Sequence, residues 1–130
     1  MLIACLSAMA LGGDYVIIVN KDCPIGDISK ADLKRVYVGK VTDIGGTKVT
    51  IANLSLDNPA AESFLTEVTG MGSNDYKSFW MAQQIRGGST APLVKKTPDV
   101  MVDFVKEGAT NIGYVPKDTP VEGVKVIELK

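Results

Sequence analysis

The chain has 130 residues, 14 Lys and Arg against 15 Asp and Glu, and a formal net charge of −1. That length suits one domain that buries roughly two-thirds of its unfolded surface without disulfides or a metal, and basic residues spread along a near-neutral chain exclude a nucleic-acid partner, which needs a concentrated basic face. There is no histidine, which removes the commonest general base and zinc ligand; no cofactor or metal motif is present, and Cys5 and Cys23 lack metal-ligand spacing.

Residues 1–10 read as the remnant of an export signal. Leu2 to Ala10 are apolar or small and uncharged, and Ala8-Met9-Ala10 fits a small-x-small cleavage site, leaving a domain over residues 11–130. Two other readings stand beside it: a short buried N-terminal element, and a lipoprotein-type box, Leu2-Ile3-Ala4-Cys5, with Cys5 acylated. No stretch is long enough to span a bilayer. Cys23 then reads as a lone thiol, a small core or loop residue and not a reactive one.

Tyr15 to Val19 is a continuous β-branched run, the pattern of a strand covered on both faces. Asn20 to Asp27 is a turn. Ser29 begins a capping box with Asp32 in the acidic position, and a helix runs from Lys30 to about Val38, stopped by Gly39. Gly45-Gly46 mark a turn before a strand from Lys48 to Leu54. Asn58-Pro59 start a helix that ends at Gly70. Asn74 opens another, carrying Tyr76, Phe79 and Trp80, with Trp80 read as core. Thr97-Pro98 start a helix to Glu107, and Asn111 to Val115 and Val124 to Leu129 are strands. Strands alternating with helices in this order predict one α/β domain, its sheet parallel or mixed and covered on both faces. Gly113, inside a strand, predicts close approach by a neighbour.

Three stretches in this order resemble the phosphate-type periplasmic solute-binding proteins. They are Val19-Asn20, Pro24 and Ile28 to Leu33 running into Val36-Tyr37-Val38-Gly39-Lys40; Trp80 with Ile85-Arg86-Gly87 and Pro92; and Asn111-Ile112-Gly113-Tyr114-Val115. The resemblance covers about Tyr15 to Leu129 and implies a single lobe, the second, of a type 2 periplasmic-binding-protein fold. That is a mixed, mostly parallel sheet with helices on both faces.

In such proteins a helix N-terminus with a Ser-Gly-Thr turn, preceded by an Arg, holds an oxyanion through backbone N–H groups, hydroxyls and the helix dipole. The matching loop here is Leu54 to Ala61. Asn58, Pro59 and Ala60 occupy the three turn positions, Leu54 stands in place of the Arg, and Pro59 removes one donor. Ser55 and Asn58 remain as hydrogen-bonding side chains. Asp57 reads either as an acceptor for a protonated phosphate or as a solvated turn residue. A second candidate is Arg86-Gly87-Gly88-Ser89-Thr90, which offers a guanidinium, backbone donors and two hydroxyls, against the alternative of a solvated glycine-rich loop. The resemblance implies an exported, periplasmic module that takes a phosphate-like oxyanion for an ABC transporter or sensor. One lobe alone would bind weakly or dimerise to rebuild a cleft. The alternative is a cell-envelope adaptor on the same fold with a protein partner and no small ligand. No nucleophile–base pair, nucleophile elbow, P-loop or dinucleotide motif points to an enzyme.

Overall fold

A computed structural model describes residues 15–26, 28–87 and 91–127. The expectations for residues 1–10, Ser89, Thr90 and the end of the last strand lie outside the described residues. Among the described residues eleven elements follow one another: β1 (Tyr15–Asn20), α1 (Lys30–Tyr37), β2 (Asp43–Ile44), β3 (Thr47–Lys48), β4 (Thr50–Leu54), α2 (Pro59–Thr69), α3 (Ser73–Ile85), β5 (Leu93–Lys95), α4 (Pro98–Glu107), β6 (Asn111–Pro116) and β7 (Val124–Ile127).

The expected order is present with two additions. The first is the β2–β3 hairpin. Gly45 and Gly46 both take left-handed φ, 59° and 87°, as a two-residue hairpin turn requires. The strand expected over Lys48 to Leu54 is thereby broken at Val49, whose N–H bonds to the Thr42 carbonyl at 3.0 Å. The second is β5, three residues behind Pro92 and too short to leave an alternating pattern.

The main sheet has the order β5-β4-β6-β1-β7. β4 pairs parallel with both β5 and β6, and β1 pairs antiparallel with β6 and β7. Four of the five strands therefore share one direction and only β1 runs against them. Strand β6 shows how both faces are covered. Side chains alternate along a strand, and at Gly113 an added Cβ would lie 2.4 Å from the Met101 Sδ of α4. The next residue, Tyr114, stacks on Phe64 of α2 with centroids 3.8 Å apart. The close approach expected at Gly113 is thus made by a helix.

Helix ends explain much of the sequence. Ser29 accepts the Asp32 N–H at 3.0 Å, but the Asp32 carboxylate pairs with Arg35 instead of completing the box. Gly39 and Gly70 take left-handed φ, 80° and 79°, just past α1 and α2. At the end of α4 the last carbonyls, which no helix satisfies internally, are taken by two asparagines. Asn20 Nδ2 donates to Val105 and Lys106 at 3.0 and 3.1 Å, and Asn111 Nδ2 to Phe104 at 2.7 Å. The Val19-Asn20 pair is therefore a strand end that caps a distant helix.

Helix α3 starts at Ser73, one residue before the expected Asn74, with Gly72 as N-cap and no side-chain cap of its own. Glu62 of α2 supplies the missing acceptor. Its carboxylate takes the Ser73 N–H at 2.8 Å and the Thr66 hydroxyl at 3.3 Å. The Ser73 N–H holds the Glu62 carboxyl below the usual glutamate range. A folded-state pKa below the unfolded one stabilises the fold above the unfolded value, and the contribution is lost as pH falls through the lowered value. The melting-temperature gap between wild type and Glu62→Gln is expected to be widest near neutral pH and to close on acidification. A gap that stays constant down to about pH 3 would remove Glu62 from this role.

Candidate functional site

The carboxyl end of β4 is fixed by a buried polar chain. Asn53, 2% exposed, accepts the Tyr114 hydroxyl on Oδ1 at 2.8 Å and donates Nδ2 to the Tyr76 hydroxyl at 3.1 Å. Tyr114 in turn accepts the Leu54 N–H at 3.2 Å. Tyr76 donates to the Tyr37 carbonyl at 2.8 Å, where Trp80 Nε1 also donates at 3.3 Å. Tyr37 closes the chain by donating to the Ala52 carbonyl at 2.7 Å. Burial pushes the Tyr37, Tyr76 and Tyr114 phenols up, so all three stay protonated donors. Each hydroxyl proton has an acceptor, as buried polar groups require. Trp80 is a core residue, as expected. Asn53 was not singled out in the sequence; a lone amide late in an apolar strand was the one available signal.

Directly beyond this anchor lies the β4–α2 loop with three of the candidate residues, Ser55, Asp57 and Asn58, and a fourth, Ala60, in the first turn of α2. Open α/β sheets bind ligands at the carboxyl ends of their strands, and the loop leaves β4 at that end, beside β5 and β6. Its hydrogen bonds are mostly internal. Ser55 Oγ donates to Asp57 Oδ1 at 2.6 Å. The Asn58 N–H goes to the Ser55 carbonyl at 2.9 Å. Asn58 Oδ1 takes the Ala60 N–H at 2.8 Å, and the Asn58 carbonyl takes Ala61 N–H at 2.9 Å and Glu62 N–H at 3.3 Å. Pro59 has no N–H to give. An incoming anion must therefore displace the Asn58 cap or use the Asn58 Nδ2, which makes no hydrogen bond among the described residues. Asp57 is exposed and keeps acceptor capacity beside its Ser55 bond.

Arg86 is the C-cap of α3 and exposed, and Gly87 follows with φ 74°. This segment leads into β5, whose Leu93 pairs with Ala52 and Lys95 with Leu54. It thus reaches the sheet from the amino end of β5, while the Ser55–Asn58 loop departs from the carboxyl end of β4. Among the described residues no hydrogen bond or ion pair joins Arg86 or Gly87 to that loop. The structure places Ser55, Asp57, Asn58 and Ala60 around the start of α2 and Arg86 and Gly87 at the end of α3; Ser89 and Thr90 lie outside the described residues.

Two hollows flank the segment entering β5. One, of about 460 Å³, lies between the end of α1, the β2–β3 hairpin and β4, and includes Val36, Val41, Thr50 and Leu93. The other, of about 180 Å³, lies between α3 and β5, with Asn53, Trp80, Met81 and Val94 among its walls. Neither is lined by Ser55, Asp57, Asn58 or Ala60, though Leu56 of the same loop lines the second. Both are mainly apolar, and sequence reading missed them because their walls come from segments distant in the chain.

No family model and no curated protein matches the chain. Solved structures do. An ABC-type phosphate transport receptor from Vibrio cholerae is 16% identical at a TM-score of 0.64, over 89% of this chain and 46% of the receptor. A protein from Clostridium perfringens, described as a phosphate ABC transporter substrate-binding protein and solved with phosphate bound, is 14% identical at a TM-score of 0.64, over 89% and 44%. PstS from Borrelia burgdorferi is 14% identical at a TM-score of 0.57, over 90% and 47%.

The chain has the fold of one lobe of a phosphate-transport substrate-binding protein.

It spans about half the length of the solved structures it matches. At these identities the likeness carries the fold and stops there. The PstS-like lobe keeps a helix N-terminus at the carboxyl end of its sheet. Among the described residues, no helix is long and apolar enough to cross a membrane, and no cluster of Asp, Glu or Cys is arranged to hold a metal ion.

Proposed function

We propose that the protein is an extracytoplasmic solute-binding module of the phosphate-transport type that takes a small, proton-bearing oxyanion at the β4–α2 loop. The observation that supports this reading best is the loop's position: it leaves the carboxyl end of β4 and opens helix α2 in a PstS-like lobe. The α2 dipole favours an anion there. Asn58 Nδ2 and, after turning from Asp57, Ser55 Oγ donate to the anion, with the Ala60 N–H released from its cap. Asp57 accepts a hydrogen bond from the anion's own hydroxyl, which selects against fully deprotonated anions. Binding is weak, because the Ser55 hydroxyl and the Ala60 N–H are already engaged and no Arg joins the loop. Arg86, Gly87, Ser89 and Thr90 are not part of this proposal.

Calorimetric titration with phosphate, sulfate and arsenate tests it. Millimolar affinity for phosphate is expected, weakening as phosphate loses its second proton and for sulfate, which carries no proton. Asp57→Asn should narrow the difference between phosphate and sulfate. A well-folded protein that gives no heat with any of these anions would leave the loop as a structural turn. The second reading, an envelope adaptor without a small ligand, is favoured by one observation: the donors at the start of α2 are satisfied within the chain.

A further inference from the structure

Among the described residues, four of the six large aliphatic side chains left in solvent lie on α3 and β5; Val100 of α4 and Val126 of β7 lie elsewhere. Met81, Ile85, Leu93 and Val94 are 56, 85, 48 and 54% exposed. Met81 and Ile85 are one turn apart on the same side of α3. Met81 and Val94 wall the same hollow, Leu93 borders the other, and Ala91 and Pro92 belong to both. Helix α3, strand β5 and the two hollows therefore form one continuous apolar surface. Strand β5 is also one of the two edge strands of the sheet, paired with β4 alone among the described residues, so one row of its backbone N–H and C=O groups has no strand partner there. Edge strands are usually guarded by a lysine or another charge. Here Lys95 lies over the Phe104 ring of α4, 5.0 Å from its centroid, and does not cover Val94.

We propose that this surface is a homodimer interface, in which a second copy of the chain pairs its β5 antiparallel to the first across a two-fold axis and seats its α3 stripe beside it. A two-fold interface needs a patch complementary to itself. Antiparallel pairing centred on Val94 sets Leu93 opposite Lys95 and Pro92 opposite Lys96, so no lysine faces a lysine, and like charges directly opposite are what destabilises such pairs. A net charge of −1 gives two copies little general repulsion. The solved neighbours carry as much chain again as the half this protein matches, so a body of similar size accompanies the lobe in each of them. Dimerisation through β5 does not rest on the oxyanion reading: Ser55, Asp57, Asn58 and Ala60 wall neither hollow, although Leu56 of the same loop borders the smaller one.

Sedimentation equilibrium of the full chain over a wide micromolar range tests it. The mass is expected to rise toward twice the 13.8 kDa of one chain. Val94→Glu and, separately, Ile85→Glu should each weaken the dimer by about tenfold or more. Both positions are exposed, so circular dichroism should stay at the wild-type values, and the melting temperatures should agree at concentrations low enough for every chain to be monomeric. A wild-type chain that remains monomeric at hundreds of micromolar overturns the proposal, including the case in which that monomer binds an extended peptide at β5. So does a dimer that survives both substitutions.

Discussion

Phe64→Ala is expected to lower the unfolding free energy by about 3–5 kcal/mol, the largest loss of any single truncation considered. The ring is 1% exposed and sits among three tyrosines. It stacks on Tyr114 at 3.8 Å and meets Tyr37 and Tyr15 edge-on at 4.9 and 5.3 Å. Large-to-small losses grow with the cavity that remains, and here the neighbours are held in place. Tyr114 is bonded to Asn53, Tyr37 to the Ala52 carbonyl and Tyr15 to Glu67. None can swing into the void without giving up a hydrogen bond. A domain of this size is typically stable by about 5–15 kcal/mol, so the variant should be close to unfolding in water. Urea denaturation measures it. A loss under about 1 kcal/mol would show that this aromatic cluster is not the centre of the core.

Asn53→Leu is the second large effect, expected to cost about 2 kcal/mol. The volumes are similar, so packing is nearly conserved and the loss is polar. Tyr114 keeps the Leu54 N–H but its own proton has no acceptor, and the Tyr76 hydroxyl loses its donor. Leaving a buried group unpaired costs more than the average bond contributes. Removing the stranded hydroxyl should therefore recover part of the loss. The double variant Asn53→Leu/Tyr114→Phe is expected to be less destabilised than the sum of its parts by about 0.5 kcal/mol or more. Simple additivity would mean that the two groups are not one network. Because the same network holds the Leu54 backbone, Asn53→Leu should also weaken oxyanion binding at the adjoining loop.

The sequence carried the fold where local chemistry decides structure. Asn58-Pro59 and Thr97-Pro98 begin helices because a side-chain cap and a residue without an N–H suit that position, and Gly39 and Gly70 follow helices because only they take a left-handed φ cheaply. What was illegible is non-local. Nothing near Gly72 shows that Glu62 caps α3, and nothing near Asn20 shows that it caps α4. Strand β5 exists because β4 offers it a parallel edge, which three residues cannot announce. The candidate loop was legible through its resemblance and its Asn-Pro helix start. How far its donors are already engaged was not, because the Ser55–Asp57 and Asn58–Ala60 bonds depend on loop geometry.

Whether the start of α2 receives an anion decides whether this lobe is a solute-binding module. Following the backbone amide resonances of the 15N-labelled full chain during a phosphate titration tests this most directly. Saturable shifts centred on Asn58, Ala60 and Ala61, absent from the α4 side of the sheet, are the predicted result. Amides of this loop that do not move at saturating millimolar phosphate, or shifts confined to another surface, would contradict it.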